Sequence, residues 1–439
     1  MSRTNEPDRA SANPSETGGT RPVTGVLASP AGRVLLAACL LELALIAFLV
    51  WLDLSMSSEL GRSQARHRPA PASQRHEPYF RGNPGPWGDL EYVRIAIEPP
   101  DAFVPAEEIS FPQTHWRFAN MSPEQVTAFF QSCDLSPAQL AELANPQSRA
   151  ADGSSVVVFP SDELILGLRQ TARTQIYSVL ATNQENDFHC WPFTYRRDGV
   201  EEWFQRSGLS DTTLALTRSL LYPRGATLCF SDLPQVFART PTVEERRRLL
   251  KTLSRHATLI MKLRVTPNTD IAALTQYWAR GGRAKDVAPL LESLTKVPGS
   301  ITVDVAHLIP PFARKRLNTF PEPPADPATR LPDCFWSAFN FFNDPPEDRY
   351  YDDALWRAEL ERDYDVVDHP VLGDLIFLLR PDGSPLHAAV HIADDVVFTK
   401  NGGHHRQPWV LMKWADLVAR YPEHYPVQTA IFRHKPPST

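Results

Sequence analysis

A continuous apolar run near the N-terminus constrains this chain more than any other feature. Residues 34–52, VLLAACLLELALIAFLVWL, contain a single charged residue, Glu42. At about 1.5 Å rise per residue, a helix of this length crosses a hydrocarbon core about 30 Å thick. The run exceeds the ~7–15-residue apolar region of a signal peptide, and no clear small-residue cleavage motif precedes Trp51. The sequence therefore predicts one uncleaved transmembrane anchor at 33–53.

Charges around this run leave its orientation open. Arg21 and Arg33 precede it, and Arg62, Arg66 and Arg68 follow it, so the Lys and Arg count that marks the cytoplasmic side does not select a leaflet. A single span also provides no helix bundle, which argues against transport. Glu42 is interpreted either as a contact to a partner helix or as a protonated or snorkelling carboxyl in a lone anchor.

Two segments beside the predicted anchor are poor in residues that build a core. Residues 1–30 are rich in Ser, Thr, Pro and charge, which predicts a disordered tail. Residues 54–103 carry seven prolines among Arg, Gln and Ser, which predicts a semi-rigid tether. The prolines are Pro69, Pro71, Pro78, Pro84, Pro86, Pro99 and Pro100.

Helix-start signals dominate residues 104–320, for which we predict a mostly helical domain. Each signal is a Ser or Thr N-cap before an apolar-periodic run, in two cases followed by an N1 proline. A long helix is predicted from 242 to 263, TVEERRRLLKTLSRHATLIMKL, and short strands at 156–160 and 226–230. The predicted N-caps are Ser122, Ser136, Ser161 and Thr242.

A proline-dense stretch at 321–332 marks a boundary to a C-terminal domain at 326–435. Beyond an aromatic helix and an acidic helix, apolar segments at 374–379, 386–393 and 396–399 predict an antiparallel sheet. Segment 406–422 has apolar residues at helical spacings and is predicted to pack in the core. The whole chain is thus predicted to be α+β, because helices precede a sheet.

Composition excludes several functions. The formal net charge is −6 and no long basic run with interleaved aromatic residues occurs, so we predict no nucleic-acid partner. The chain has five cysteines, one of them, Cys39, in the predicted span. No CxxC or clustered Cys/His spacing indicates a zinc site, so neither a metal nor a cofactor is predicted.

Cys334, in LPDCFWSAFNFFND, is the first candidate for chemistry. Asp333 is a good N-cap, which places Cys334 in the first turn, where free backbone amides and the helix dipole favour a thiolate. That position predicts a pKa below the usual ~8.5 and alkylation well below pH 8. The alternative is a small apolar residue at the edge of a buried aromatic helix.

Two histidines downstream favour the catalytic interpretation. The period-2 rule places His387 and His391 on one face of a strand, and a histidine near the thiol can accept its proton. The following strand presents Thr399, Lys400 and Asn401, any of which could orient an imidazole.

Three motifs in this order resemble the NlpC/P60-type papain-like cysteine peptidases. Asp333-Cys334 is similar to the family's Asp-Cys nucleophile motif, and residues 372–377, LGDLIF, to its Pro-Gly-Asp-Leu-Val-Phe strand entry. Residues 387–395, HAAVHIADD, are similar to its His-Val-Gly-Ile-Tyr-Ile-Gly hairpin. The resemblance implies a papain-like fold for residues 326–435, with helix packed on an antiparallel sheet.

The resemblance also implies roles for individual residues. Cys334 is the implied nucleophile and His387 the implied general base, with His391 at a position the family usually fills with Tyr. The family's third polar residue falls on Thr399, with Asn401 two residues later on the same face. We select Asn401, because its side-chain carbonyl can accept from an imidazole N–H.

These features predict a membrane-anchored cysteine amidohydrolase or endopeptidase that acts on an amide bond, with cell-wall peptide (peptidoglycan) as the candidate substrate. Its soluble domains are then expected on the outer side of the membrane.

The alternative is a membrane-tethered binding or scaffolding protein whose papain-like domain is non-catalytic. The middle domain would then dock a protein partner. Phe335 and Trp336, which replace the family's small Ser-Gly pair, favour this alternative.

Overall fold

The computed structural model describes residues 79–107, 109–145, 149–152, 155–326, 328–421 and 427–436. The α-helices are α1 Pro123–Ser132, α2 Pro137–Ala144, α3 Asp162–Leu166, α4 Gln170–Leu180, α5 Asp187–Cys190, α6 Val200–Phe204, α7 Asp211–Ser219, α8 Leu233–Arg239, α9 Val243–Leu253, α10 Ile271–Trp278, α11 Ala284–Thr295, α12 Pro311–Arg316, α13 Cys334–Phe339, α14 Asp353–Asp363 and α15 Trp414–Val418. The strands are β1 Phe80–Arg81, β2 Asp89–Ile97, β3 Trp116–Ala119, β4 Arg149–Asp152, β5 Ser155–Val158, β6 Phe193–Arg196, β7 Tyr222–Arg224, β8 Thr227–Phe230, β9 His256–Val265, β10 Ile301–Asp304, β11 Tyr364–Val366, β12 Leu375–Leu379, β13 Pro385–Ala393, β14 Val396–Lys400, β15 Trp409–Lys413 and β16 Gln428–His434.

The predicted fold class is wrong as stated, although the described part of the chain is α+β. None of its helices is long and apolar enough to cross a membrane. The predicted anchor at 33–53 and the tail at 1–30 lie outside the described residues. The region predicted to be mostly helical instead contains two three-stranded sheets and part of a third sheet.

A six-stranded antiparallel sheet with strand order β11-β16-β12-β13-β14-β15 forms the C-terminal part. Side chains alternate across it, so β13 sends Ala388 and Val390 to one face and Ala389 to the other. Helix α13 packs on the first face, where Trp336 and Phe339 join Ala388 and Val390 in the largest core. Both faces are therefore covered, and the helix that begins with Cys334 is fixed against one of them.

A second sheet, β1-β2-β9-β10, contributes to the same core. Strand β9 lies beside β15, where the backbone N–H of Leu411 donates to Thr258 Oγ1 over 3.1 Å. The described residues belong to one compact unit, and this core contains residues from both sides of the boundary predicted at 321–332.

Both long strands of this second sheet contradict the predictions. Strand β2 lies within the predicted tether, and β9 lies within the helix predicted from 242 to 263, which ends at Leu253. Along β9 buried and partly buried residues largely alternate, as expected for a strand with two unlike faces. The prolines of 84–100 flank β2 without interrupting it, so composition alone suggested a tether where a strand forms.

Helix starts in the middle region are confirmed. Ser122 and Ser136 each accept a hydrogen bond from the N3 backbone amide and form capping boxes with Gln125 and Gln139. Thr242 also accepts a hydrogen bond from the N3 backbone amide, that of Glu245, at the start of α9. The N-cap predicted at Ser161 is also confirmed, and the helix it begins, α3, has its C-cap at Gly167.

Segment 406–422 shows how spacing can mislead. Trp409 and Met412 lie at a helical spacing, but they belong to β15, which pairs with β14 and forms an edge of the six-stranded sheet. Of the described residues 406–421, those of α15, which begins at Trp414, are helical. Both residues are buried, so the predicted core role is correct although the secondary structure is not.

A fully buried ion pair joins two elements of the middle region. The guanidinium of Arg173 on α4 donates to the carboxylate of Asp232, which also accepts from the hydroxyl of Tyr177. Arg173 Nη2 also donates to the carbonyl of Ile165 over 2.8 Å. The Arg173 side chain is 0 % and the Asp232 side chain 4 % exposed, so neither group has water as a substitute partner.

Removing one member of this pair leaves the other charge buried and unpaired. We expect Arg173→Met to lower the free energy of unfolding by about 3–5 kcal/mol. The matched control is Arg169→Met, which breaks the exposed pair with Asp134 and is expected to cost less than about 1 kcal/mol. Urea denaturation followed by circular dichroism measures both, and equal costs would show that the buried pair does not stabilise the fold.

Candidate functional site

Cys334 is the first residue of α13, as the sequence predicts. The carboxylate of Asp333 caps the helix by accepting from the backbone amide of Trp336 over 2.8 Å. The backbone carbonyl of Asp333 accepts from Ser337 Oγ over 2.6 Å. The Cys334 side chain is buried, with 7 % of the residue exposed. Local sequence therefore places the thiol at the helix start, and core packing encloses it.

The pKa predicted for this thiol is wrong in direction. Burial, followed by the neighbouring Asp333 carboxylate, raises the pKa of Cys334 to about 12. Backbone amides of Ala388, Phe335 and Cys334 itself favour the thiolate but do not overcome these two effects. Helix α13 has only six residues, so its dipole is small, and the cap that starts it also brings a negative charge next to the sulfur.

His387 is buried on β13 and its ring is oriented from the neighbouring strand. Its Nε2 is hydrogen-bonded to Thr399 Oγ1 at 2.7 Å, and its ring centroid lies 5.3 Å from that of Tyr421. Burial, followed by the charge of Arg420, lowers the pKa of His387 to about 3. The imidazole is therefore neutral at ordinary pH, with Nδ1 as the nitrogen that Thr399 does not engage.

The Cys334 thiol meets β13 at the residue next to His387. His387 lies on the same face as Ala389, whereas α13 packs on the face of Ala388. Strands β13 and β14 pair from Val390 opposite Phe398 to Ala393 opposite Val396. Ala388 precedes this paired stretch, so β14 does not pair with it. There the Ala388 amide meets the Cys334 sulfur, one residue from His387. Among the described contacts no hydrogen bond joins Cys334 Sγ to either nitrogen of His387.

Thr399, and not Asn401, lies at the imidazole. Asn401 Nδ2 instead contacts Met412 Sδ at 3.5 Å, and its Oδ1 is buried without a hydrogen-bond partner. The choice of Asn401 was wrong because Thr399 already occupies the position that the family pattern indicates, twelve residues after His387.

His391 and the histidine pair of the 401–405 loop do not join this site. His391 Nε2 is buried without a partner, and its ring lies near Trp87. The rings of His404 and His405 contact each other in a tilted arrangement, with centroids 4.1 Å apart. Within the described ranges no group of three or more His, Cys, Asp or Glu side chains is placed to hold a metal ion.

Lys400 is a further functional candidate, beside the three residues selected from the sequence. It is 0 % exposed, and its Nζ donates to the carbonyls of Gly402 at 2.5 Å and His404 at 3.1 Å. Burial lowers the pKa of Lys400 to about 7, and interactions with the charges of Cys334 and then Asp333 partly oppose this shift. The sequence indicates the face on which Lys400 lies. Lys400 follows Val396 and Phe398 at two-residue intervals, and alternate residues of a strand share a face, here the face that packs on α13.

The raised pKa of Cys334 has a direct test in the pH dependence of its alkylation. We expect the rate with iodoacetamide, followed at this residue by peptide mass spectrometry, to stay low at pH 8 and rise toward pH 11, since the thiolate reacts. Asp333→Asn removes the second cause and should shift the profile to lower pH. A half-maximal rate below the ~8.5 of a free thiol in the native protein would contradict this assignment.

Comparisons with known proteins add no further constraint on this site. No protein-family model, no curated protein and no solved structure matches the chain.

Proposed function

We propose that the C-terminal part of this chain is a cysteine-dependent amidohydrolase with Cys334 as nucleophile, His387 as general base and Thr399 as the residue that orients the base. One observation carries the proposal. The amide of Ala388 meets the Cys334 sulfur while the adjacent His387 is held by Thr399 from the next strand at 2.7 Å. The motif resemblance to NlpC/P60 peptidases supports the same assignment and suggests cell-wall peptides as substrate.

The pKa values favour general-base catalysis over a preformed ion pair. The Cys334 thiol is protonated and the His387 ring is neutral at rest, so the proton must move from sulfur to Nδ1 as the sulfur attacks the carbonyl carbon. The new C–S bond places a negative charge on the carbonyl oxygen, for which the Cys334 backbone amide is a donor. The imidazolium then protonates the leaving amine, and water attacks the thioester to release the acid and restore the thiol.

Lys400 contributes a positive charge on the α13 side of this site. It is close enough for Cys334 and Asp333 to favour its charged form, so the same charge favours a developing thiolate. Its two hydrogen bonds to the carbonyls of Gly402 and His404 also hold the loop that follows β14. In this proposal Lys400 is a positioning and electrostatic residue and forms no bond with substrate.

A binding or scaffolding role is the second candidate. Burial of Cys334, its raised pKa and the lack of a described hydrogen bond to His387 favour it. A domain that only binds needs no reactive thiol, and the two roles differ in whether Cys334 is required.

Amine release from purified cell-wall peptides by the full-length protein tests the first candidate. We expect Cys334→Ala to abolish release and His387→Ala to lower kcat/KM by about 10²–10⁴-fold. Thr399→Val should lower it by about 10-fold or more, because the ring loses its orienting partner. The matched control is Asn401→Ala. Asn401 lies two residues after Thr399, and its replacement should change kcat/KM much less. Release that is unaffected by Cys334→Ala would refute Cys334 as the nucleophile, and no release by the native protein would leave the binding role.

The pH profile of kcat/KM separates His387 from Lys400. Because the pKa of His387 is lowered to about 3, its imidazole remains neutral down to about pH 4. We therefore expect no loss of kcat/KM near the ordinary histidine pKa of ~6.5. A decline above about pH 7 is expected as Lys400 loses its charge, and Lys400→Gln should remove that decline. An acid limb centred near pH 6.5 would show that His387 is not the base in the buried state described here.

A further inference from the structure

A cleft of about 430 Å³ opens beside the four-stranded sheet, and Cys334 is not among the residues that line it. Its floor is apolar and includes Leu259 of β9 with Leu411 and Met412 of β15. Its rim is formed by Arg94 of β2, by residues 195–198 and by the end of α15. The volume lies within the ~300–1,000 Å³ that is typical of small-molecule sites, which also combine an apolar floor with a few polar groups.

Positive charge dominates this cleft. Four arginines and two aspartates line it, so the arginines exceed the carboxylates by two. The arginines are Arg94, Arg196, Arg197 and Arg420, and the aspartates are Asp198 and Asp416. Guanidinium groups bind carboxylate and phosphate in a forked geometry, which makes an anion the complementary ligand.

Two of the arginines are only partly engaged by the described residues. Arg196 Nη1 is buried without a hydrogen-bond partner. Arg420 forms no ion pair with a carboxylate of the described residues, and the groups that favour its charged form are Tyr421 and Cys229. Burial lowers the pKa of Arg420, so a bound anion would offset a real electrostatic cost.

Two carboxylates partly neutralise the rim. Asp198 pairs closely with Arg196 Nη2. The carboxylate of Asp416 lies 3.5 Å from Arg94 Nη2 and 3.6 Å from Arg196 Nε, at the outer limit of a hydrogen bond. A ligand anion seated between Arg196 and Arg420 could approach closer than this carboxylate does. Asp416 is then a competitor for the arginines and not a ligand-binding residue.

We propose that this cleft binds a small organic anion, whose apolar part lies on Leu259, Leu411 and Met412 and whose carboxylate or phosphate group is held by Arg196 and Arg420. The proposal does not depend on Cys334 being catalytic. It assigns to the chain a binding site on the cleft side of β15, next to the helix α15 that precedes Tyr421.

Calorimetric titration of the full-length protein with hexanoate, hexyl phosphate and hexanol tests this site. Hexanol carries the apolar part without the charge, and the two anions distinguish a carboxylate ligand from a phosphate ligand. We expect at least one anion to bind about 10-fold or more tightly than hexanol, with an affinity that falls as salt is added. Anions that bind no more tightly than hexanol would overturn the proposal.

Three variants tie binding to the cleft. Arg420→Gln should weaken the anion about 10-fold or more, whereas the control Arg218→Gln, which breaks the exposed pair with Glu201, should leave it unchanged. Asp416→Asn should tighten the anion, because it removes the competing carboxylate, and a misfolded protein cannot give that result. The assignment of the site would be overturned if Arg420→Gln and Arg218→Gln weakened anion binding equally, or if Asp416→Asn weakened it.

Discussion

The packing of α13 on the six-stranded sheet is the constraint on which the candidate site depends. Trp409 of β15 donates from Nε1 to Ser337 Oγ at 2.8 Å, and Ser337 Oγ donates to the Asp333 carbonyl at 2.6 Å. These two hydrogen bonds join the edge strand to the first turn of the helix. Because Trp409 is itself buried in the largest core, Cys334 has a fixed position. Rigid mounting suits a nucleophile, and the same packing removes it from water.

Desolvation, more than any pair of charges, sets the electrostatics of this region. It is the largest cause of the raised pKa of Cys334 and of the lowered pKa of both His387 and Lys400. All three groups are therefore shifted toward their neutral forms, and the site stores no thiolate–imidazolium pair at rest. Chemistry in such a site depends on proton transfer during the reaction, which is why its pH dependence should differ from that of a cysteine activated by a helix dipole.

The arginine-lined cleft and the candidate site are joined through a short stretch of chain. Arg420 lines the cleft, and the next residue, Tyr421, places its ring 5.3 Å from that of His387. Met412 of the cleft floor contacts Asn401, which follows the strand of Thr399 and Lys400. An anion at Arg420 would therefore lie near the base, whose pKa this guanidinium already lowers. The two sites remain distinct in the groups they use.

Local sequence alone determined much of this protein, including the caps at Ser122, Ser136 and Asp333 and the alternation that defines β13 and β14. These features depend on neighbours within a few residues, and the same short range made Asp333-Cys334 and His387 recognisable. Tertiary structure decided what depends on burial: that 256–265 is a strand beside β15, that Lys400 is fully buried, and that the Cys334 thiol is protonated. A pKa and a strand pairing both depend on groups far apart in sequence, and only the folded chain brings those groups together.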